Sequence, residues 1–247
     1  MTQPAILFDN RLREGTLTST PEPTAGSLLN IADWLSYDGA FWNTTSAVTI
    51  DLSGSHTANA AAFAQHNLGT TGATVQIRTG TTVRATINPP DDRPFMVLFP
   101  AQTASNWNIR ISGQSAGPRL NVASLGQRMI MDRSAFIGVQ PPKINPVNEY
   151  AVSRSDTGLV MGRTLLRQGL QNQIAYSNCE ENWVYSHWLP LIRHAEKFAF
   201  FWAWDVDDHP TDVALVQMVG NPTGGPSSVG GPAGKGRFDV AMEVAGG

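Results

Sequence analysis

The chain has 247 residues, enough for one large domain or two ordinary ones, and hydrophobic residues make up 41% of it. Charged residues make up only 15%, against about 25% in a typical soluble domain, and the net charge is −3 with no clustered basic face, so no nucleic-acid partner is expected. The longest apolar stretch, 198–204, is too short for a membrane span, and a single cysteine, Cys179, excludes a disulfide scaffold.

A surface this poor in charge suits a protein that covers much of its exterior in an assembly, because charge is what keeps free monomers apart. The basic residues are mostly arginine, with three lysines, Lys143, Lys197 and Lys235. Arginine is favoured at interfaces and lysine is depleted there, which points the same way. The N-terminus MTQPAILFDN lacks a basic segment followed by an apolar run, so no signal peptide is expected.

In chain order, the first half predicts short strands at 46–52, 58–65, 73–79, 82–87, 95–99, 106–112 and 120–131, with no convincing helix. Alternation is clearest in Val75-Gln76-Ile77-Arg78 and in Trp107-Asn108-Ile109-Arg110-Ile111. Turn residues between short strands predict a sandwich or barrel. The segment 138–146 carries Pro141, Pro142 and Pro146 and reads as a stiff extended connection between two units, 1–134 and 135–247.

The second half predicts strands at 149–153 and 162–177 around an Asp156-Thr157-Gly158 turn, then one helix over 180–196 with Asn178 as N-cap. Val184, Trp188, Leu191 and Ala195 form its apolar stripe, and Pro190 predicts a kink or two short helices. Strands follow at 198–204, 213–219 and 238–244, with a long Gly- and Pro-rich loop over 220–236. The fold class is therefore mainly β: an N-terminal sandwich followed by an α+β unit with an antiparallel sheet or split barrel and one helix.

No reaction centre can be assembled from the residues, so no catalytic residue, metal site or cofactor is expected and the chain reads as a non-enzyme. His187 and His194 lie seven apart on the helix but lack a third ligand at metal spacing. The acidic run 205–212 lacks the mid-loop glycine and closing glutamate of an EF-hand and reads as an exposed turn. Ser53-Gly54-Ser55-His56 also reads as a turn, since triads are assembled in space and not from sequence neighbours. Trp34, Tyr37, Phe41 and Trp42 cluster in a loop-like region; core or interdomain packing is the first use of such rings. The alternative is a carbohydrate platform, for which Trp34, Trp42 and Trp107 are the candidate binding residues.

Three stretches, Asn30–Gly39 (NIADWLSYDG), Val48–Leu52 (VTIDL) and Ala60–Gly69, together with GATVQIR at 72–78 and SNWNIRI at 105–111, resemble the discoidin-like, galactose-binding-type jelly rolls of phage virion proteins. Gly162–Gly169 (GRTLLRQG), a helix with Trp183 and Trp188, the strand at 198–205 and the closing FDVAMEV at 238–244 resemble the tail-tube-type domains of phage tail and baseplate proteins, including distal tail proteins. In distal tail proteins the ring-forming domain usually comes first; here that order is reversed. The resemblance implies a virion structural protein at the tail tip or baseplate, assembled in the host cytoplasm. Its implied partners are copies of itself in a ring, by family symmetry six, the tube, hub and tape-measure proteins, and a host surface glycan. The competing expectations are a carbohydrate-binding module for host attachment and, behind it, a glycan hydrolase.

Overall fold

The structure is a computed structural model, and it describes residues 4–35, 37–132, 141–142, 146–227 and 236–246. Sixteen strands are described. The first half contributes β1 (Ala5–Leu7), β2 (Leu17–Thr20), β3 (Ala25–Gly26), β4 (Ala40–Phe41), β5 (Val48–His66), β6 (Thr74–Thr79), β7 (Thr82–Ile87), β8 (Phe95–Ser112), β9 (Arg119–Gly126) and β10 (Met129–Ile130). The second half adds β11 (Pro146–Arg154), β12 (Val160–Glu180), β13 (Phe200–Ala203), β14 (Val213–Met218), β15 (Thr223–Pro226) and β16 (Arg237–Gly246). The fold is mainly β, in two antiparallel sheets, with one α-helical segment and two short 3-10 turns, Arg11–Arg13 and Leu28–Ala32, among the described residues.

One sheet runs β3-β4-β9-β5-β8-β6-β7, with β2 joined to β5. Its two long strands span what the sequence presents as four. Segments 46–52 and 58–65 are one strand, β5, and 95–99 and 106–112 are one strand, β8. Register shifts between Ser53 and His56 and between Ala58 and Ala60 absorb the breaks, and Gly54 sits in the first of them at φ +108°. Pro100 falls between the Ala60–Leu98 and Ala58–Gln102 pairs, where the ladder does not need its missing N–H. The long strands bend through these bulges, so the sheet folds on itself into a sandwich. Ile50, Leu52, Ile109, Val75 and Ile77 from one half meet Phe63, Phe95, Leu120, Ala123 and Leu125 from the other in a single core.

The second sheet runs β10-β1-β13-β14-β16-β12-β11, with β15 on β16. Its strands cut across the expected division at residue 134. Ala5↔Ala203 and Ala5↔Ile130 place β1 and β10, both from the first half, inside the second-half sheet. The predicted strand 120–131 is accordingly two: β9 stays in the sandwich, and the chain crosses at Gln127-Arg128 into β10. Of the connection at 138–146, residues 138–140 and 143–145 lie outside the described residues; Pro146 opens β11.

The sheets are joined by an alternation in β5. Ala61 and Phe63 face the sandwich core, while Ala60, Ala62 and Ala64 face the second sheet and meet Ala5, Leu7, Phe201, Ala203, Val213 and Leu215. Side chains without reach let the two backbones approach, so the outer face of one sheet becomes the floor of the other. The far side of the second sheet is covered by the helical segment. This is an α turn (Glu181–Trp183), a π turn (Val184–Trp188) and an α-helix (Leu189–Ala195) in unbroken succession. Of the expected kink or two short helices the second is observed: Pro190 sits in the first turn of Leu189–Ala195, and a wide π turn separates that helix from the α turn before it. Trp188, Leu191 and Ala195 pack with Phe200, Trp202, Val216, Met242 and Val244.

Asn178 is not the helix N-cap. β12 continues to Glu180, and Asn178 occupies a bulge in it at φ +62°, a left-handed conformation that asparagine tolerates better than most residues. Its backbone N–H donates to Asp239 Oδ1 at 2.8 Å. The predicted loop 220–236 contains a short strand, β15; residues 228–235 of it lie outside the described residues.

Candidate functional site

The three tryptophans named as the alternative sugar platform are all buried. Trp107 is 0% exposed and Trp42 2% exposed, both in the sandwich core. Their indole N–H groups are spent inside the fold, Trp107 donating to His56 O at 2.9 Å and Trp42 to Pro21 O at 2.9 Å. Trp34 is 4% exposed and packs edge-on to His194 at 5.5 Å and against Phe201 at 5.9 Å, at the seam between the sheets. Rings this size gain more from burial than from display, and the packing use of these residues is the observed one.

The other candidates resolve into structural roles. His194 Nε2 donates to Ala199 O at 3.0 Å, and burial holds its pKa below the ordinary histidine value. His187 stacks on Trp183 at 5.9 Å and pairs with Ser186 Oγ at 2.7 Å, so the two helix histidines serve different surroundings. The acidic run is a turn: Asp208 N–H donates to Asp205 Oδ1 at 3.3 Å, and Pro210 O accepts from Met96 N of β8 at 2.9 Å. His56 lies within the β5 bulge, with Nε2 at 3.2 Å from Ser53 O, and not in a separate turn. Cys179 is buried in the core beneath the helix. Among the described residues no cluster of three or more His, Cys, Asp or Glu side chains is arranged to hold a metal ion.

Two features remain. The first is an arm. β11 and β12 pair from Pro146↔Leu170 to Arg154↔Val160, while β16 joins β12 only from Leu170 onward. Residues 146–170 are therefore a two-stranded ribbon projecting about 30 Å past the rest of the sheet. The Ser155–Leu159 turn closes it, with Gly158 at φ +83° and its N–H on Ser155 O at 2.8 Å. The cross-strand register puts Tyr150, Val152, Val160 and Leu165 on one face, beside Arg154 and Arg163. All four apolar residues are exposed, as are Leu159 and Met161 at the tip. The Arg163 guanidinium lies 3.3 Å from the Tyr150 ring centroid, a cation–π contact across the ribbon.

The second is a cleft of about 530 Å³ at the base of the arm, between it and the sandwich. Trp34, Leu215 and Ala245 line it together with Gln65, Gln171 and Gln217. The volume lies in the range of small-molecule sites, roughly 300–1,000 Å³. The amides of Gln65, Gln171 and Gln217 hold no hydrogen bond among the described residues. Trp34 and Gln65, both in its lining, sit at positive φ, +70° and +53°.

No protein-family model and no curated protein matches this chain. Solved structures with similar folds exist. Chitosan-binding module 1 of a chitosanase/glucanase from Paenibacillus sp. IK-5 is 17% identical, with a TM-score of 0.39 over 47% of this chain and 98% of that one. A CBM32 module from Clostridium perfringens, solved with GalNAc-β-1,3-galactose, is 11% identical, with a TM-score of 0.39 over 49% of this chain and 99% of that one. The CBM32 of AlyQ, solved with 4,5-unsaturated mannuronic acid, is 16% identical, with a TM-score of 0.36 over 44% of this chain and 92% of that one. At these identities the likeness concerns fold, and what those modules bind does not transfer to this chain.

The sequence reading missed the arm as a site. Its signal was present: the apolar run Leu159-Val160-Met161 follows directly on the Asp-Thr-Gly turn, where a polar hairpin end is the rule.

Proposed function

We propose that this chain is a non-catalytic structural subunit of a phage tail tip or baseplate, a distal-tail-like component of the virion. It joins the tube to hub or receptor-binding parts. The observation that carries the reading is the arm. An isolated two-stranded ribbon is marginally stable in water, and this one displays large apolar side chains along a face and at its tip. Such an element is complete only against other protein. The low charge and the preference for arginine over lysine fit the same use. The test is to image assembled particles and locate this chain. Density for it at the tail end supports the reading, and particles that lack the chain overturn it.

A second reading is carbohydrate binding for host attachment. The observation favouring it is the cleft, whose uncommitted Gln65, Gln171 and Gln217 amides, beside the single charged group Glu149, suit hydroxyl-rich ligands. A glycan array probed with the purified chain tests it; the absence of any hit removes it.

A further inference from the structure

We infer that the second sheet contains a strand slot: the gap beyond the end of β16 takes an extended segment of a different tail component as an added strand, with β14 on one side and β12 on the other. The inference rests on the assembly reading above, not on the carbohydrate one, and names how a partner is held.

β16 lies between β14 and β12, and its last pairs are Val216↔Gly246 and Leu170↔Gly246. Both flanking strands run on past that point, β14 to Val213 and β12 to Val160. Among the described residues no strand lies between them there. The two walls stay opposed across open space. The cleft of about 530 Å³ is bounded by Gln168, Gly169 and Leu170 of β12, Leu215 of β14 and Gly246 of β16. A second cavity, of about 230 Å³, joins the same three β12 residues to Val213 and Ala214. β16 holds its neighbours roughly 9.5 Å apart, twice the spacing of paired strands, which leaves the width of one strand in line with it.

The backbone is set for pairing. Val219 N–H donates to Glu243 O at 2.9 Å, and bonded pairs alternate along an antiparallel ladder. Gln217, Leu215 and Val213 therefore direct N–H and C=O to the β16 side, and β16 ends before it reaches Val213. These groups select the occupant. A polypeptide carries donors and acceptors in alternation at a rise of about 3.3 Å and can bond to both walls at once, whereas a sugar ring or an acyl chain matches neither. Side chains select further. The two cavities have one charged residue each in their lining, Glu149 and Arg93, of opposite sign, while Gln65, Gln171 and Gln217 offer amides. The segment is thus near neutral, with hydroxyl- or amide-bearing residues among small aliphatic ones. Bonds along both of its edges make even a short segment a firm joint.

The test fills the slot in cis. A tail of about eight alternating threonine and valine residues, an ordinary strand length, is appended after Gly247, with a glycine–serine tail of equal length as control. Amide hydrogen exchange is followed in the parent and in both extended chains. The N–H of Val213 and alternate N–H groups of β12 over 160–169 should exchange freely in the parent, and about tenfold or more slowly with the threonine–valine tail. Protection already present in the parent, or absent with that tail, overturns the slot. Particles are then assembled with each chain in turn. Val213→Pro removes one slot N–H without any tail, at the first residue of β14, where proline is tolerated, and an unchanged urea midpoint confirms that it folds. Incorporation should fall about tenfold for the threonine–valine chain and for Val213→Pro, and less for the control. Both incorporated as well as the parent would overturn the partner strand and leave the assembly reading standing. A parent chain itself absent from particles overturns that reading and the inference with it.

Discussion

Acidification from neutrality destabilises this fold through His66. The ring is buried where β5 ends, edge-on to Phe95 at 5.1 Å, and its Nδ1 accepts from Leu68 N–H at 3.2 Å. Burial lowers its pKa from 6.5 to about 4; the nearby carboxylates of Asp92 and Asp91 oppose the shift without cancelling it. The unfolded chain therefore takes up this proton first as pH falls. Above pH 6.5 both states are neutral at this site and it contributes nothing to the pH dependence. Between 6.5 and about 4 the unfolded state gains up to about 1.4 kcal/mol per pH unit, roughly 3 kcal/mol over the window, and below it the difference is constant. Urea denaturation of the parent and of His66→Gln at a series of pH values isolates the effect, because every other titrating group is common to both. Stability of the parent should fall by about 3 kcal/mol more than that of the variant across the window. Parallel profiles would refute the reasoning and place the ring in contact with solvent.

Three further perturbations probe the packing. Ala62→Leu inserts a branched side chain between the two sheets, where only a methyl fits, and should cost about 1–3 kcal/mol in urea denaturation, whereas a surface substitution such as Thr82→Leu should cost under about 0.5 kcal/mol. Trp107→Ala removes the largest fully buried side chain of the sandwich and its bond to His56 O, and should lower stability by about 3–5 kcal/mol or prevent folding; a change confined to ligand affinity would contradict its core position. Asn178→Ala should cost about 1 kcal/mol because φ is +62° there, while Asn178→Gly should be near neutral, and equal losses in thermal melts would show that conformation is not the cause.

Much of the architecture was legible in the residues, for local reasons. Alternation in Val75–Arg78 and Trp107–Ile111 identifies strands wherever one face is dry, and both segments are strands with Val75, Ile77, Trp107, Ile109 and Ile111 inward. The arm hairpin and the apolar stripe of the helical segment were legible on the same grounds. What escaped was long-range. Nothing near Ala5-Ile6-Leu7 announces a partner at 201–203, because pairing across such a separation leaves no local mark. Gly54 and Pro100 read as chain breakers, yet a bulge carries each strand past them. The indole rings show the same limit for the site. Trp34, Trp42 and Trp107 are chemically apt for stacking on sugars, and composition alone cannot tell a displayed ring from a buried one. In the arm the apolar run Leu159-Val160-Met161 stands in the sequence, but that Tyr150, Val152 and Leu165 share a face with Val160 follows only from the register.

The placement of β1 bears on how the molecule comes into being. Ala5–Leu7 leaves the ribosome well before the strand it must lie beside, Phe200–Ala203, which is made almost two hundred residues later. β16, which joins β14 to β12, is translated later still, ending at Gly246. The second sheet cannot close until Arg237–Gly246 has emerged, and until Phe200–Ala203 is made the early strand has only β10 for company. A nascent chain stalled before Phe200 would leave that strand and the alanine face of β5 uncovered together, an exposed apolar surface of the kind that cellular quality control acts on.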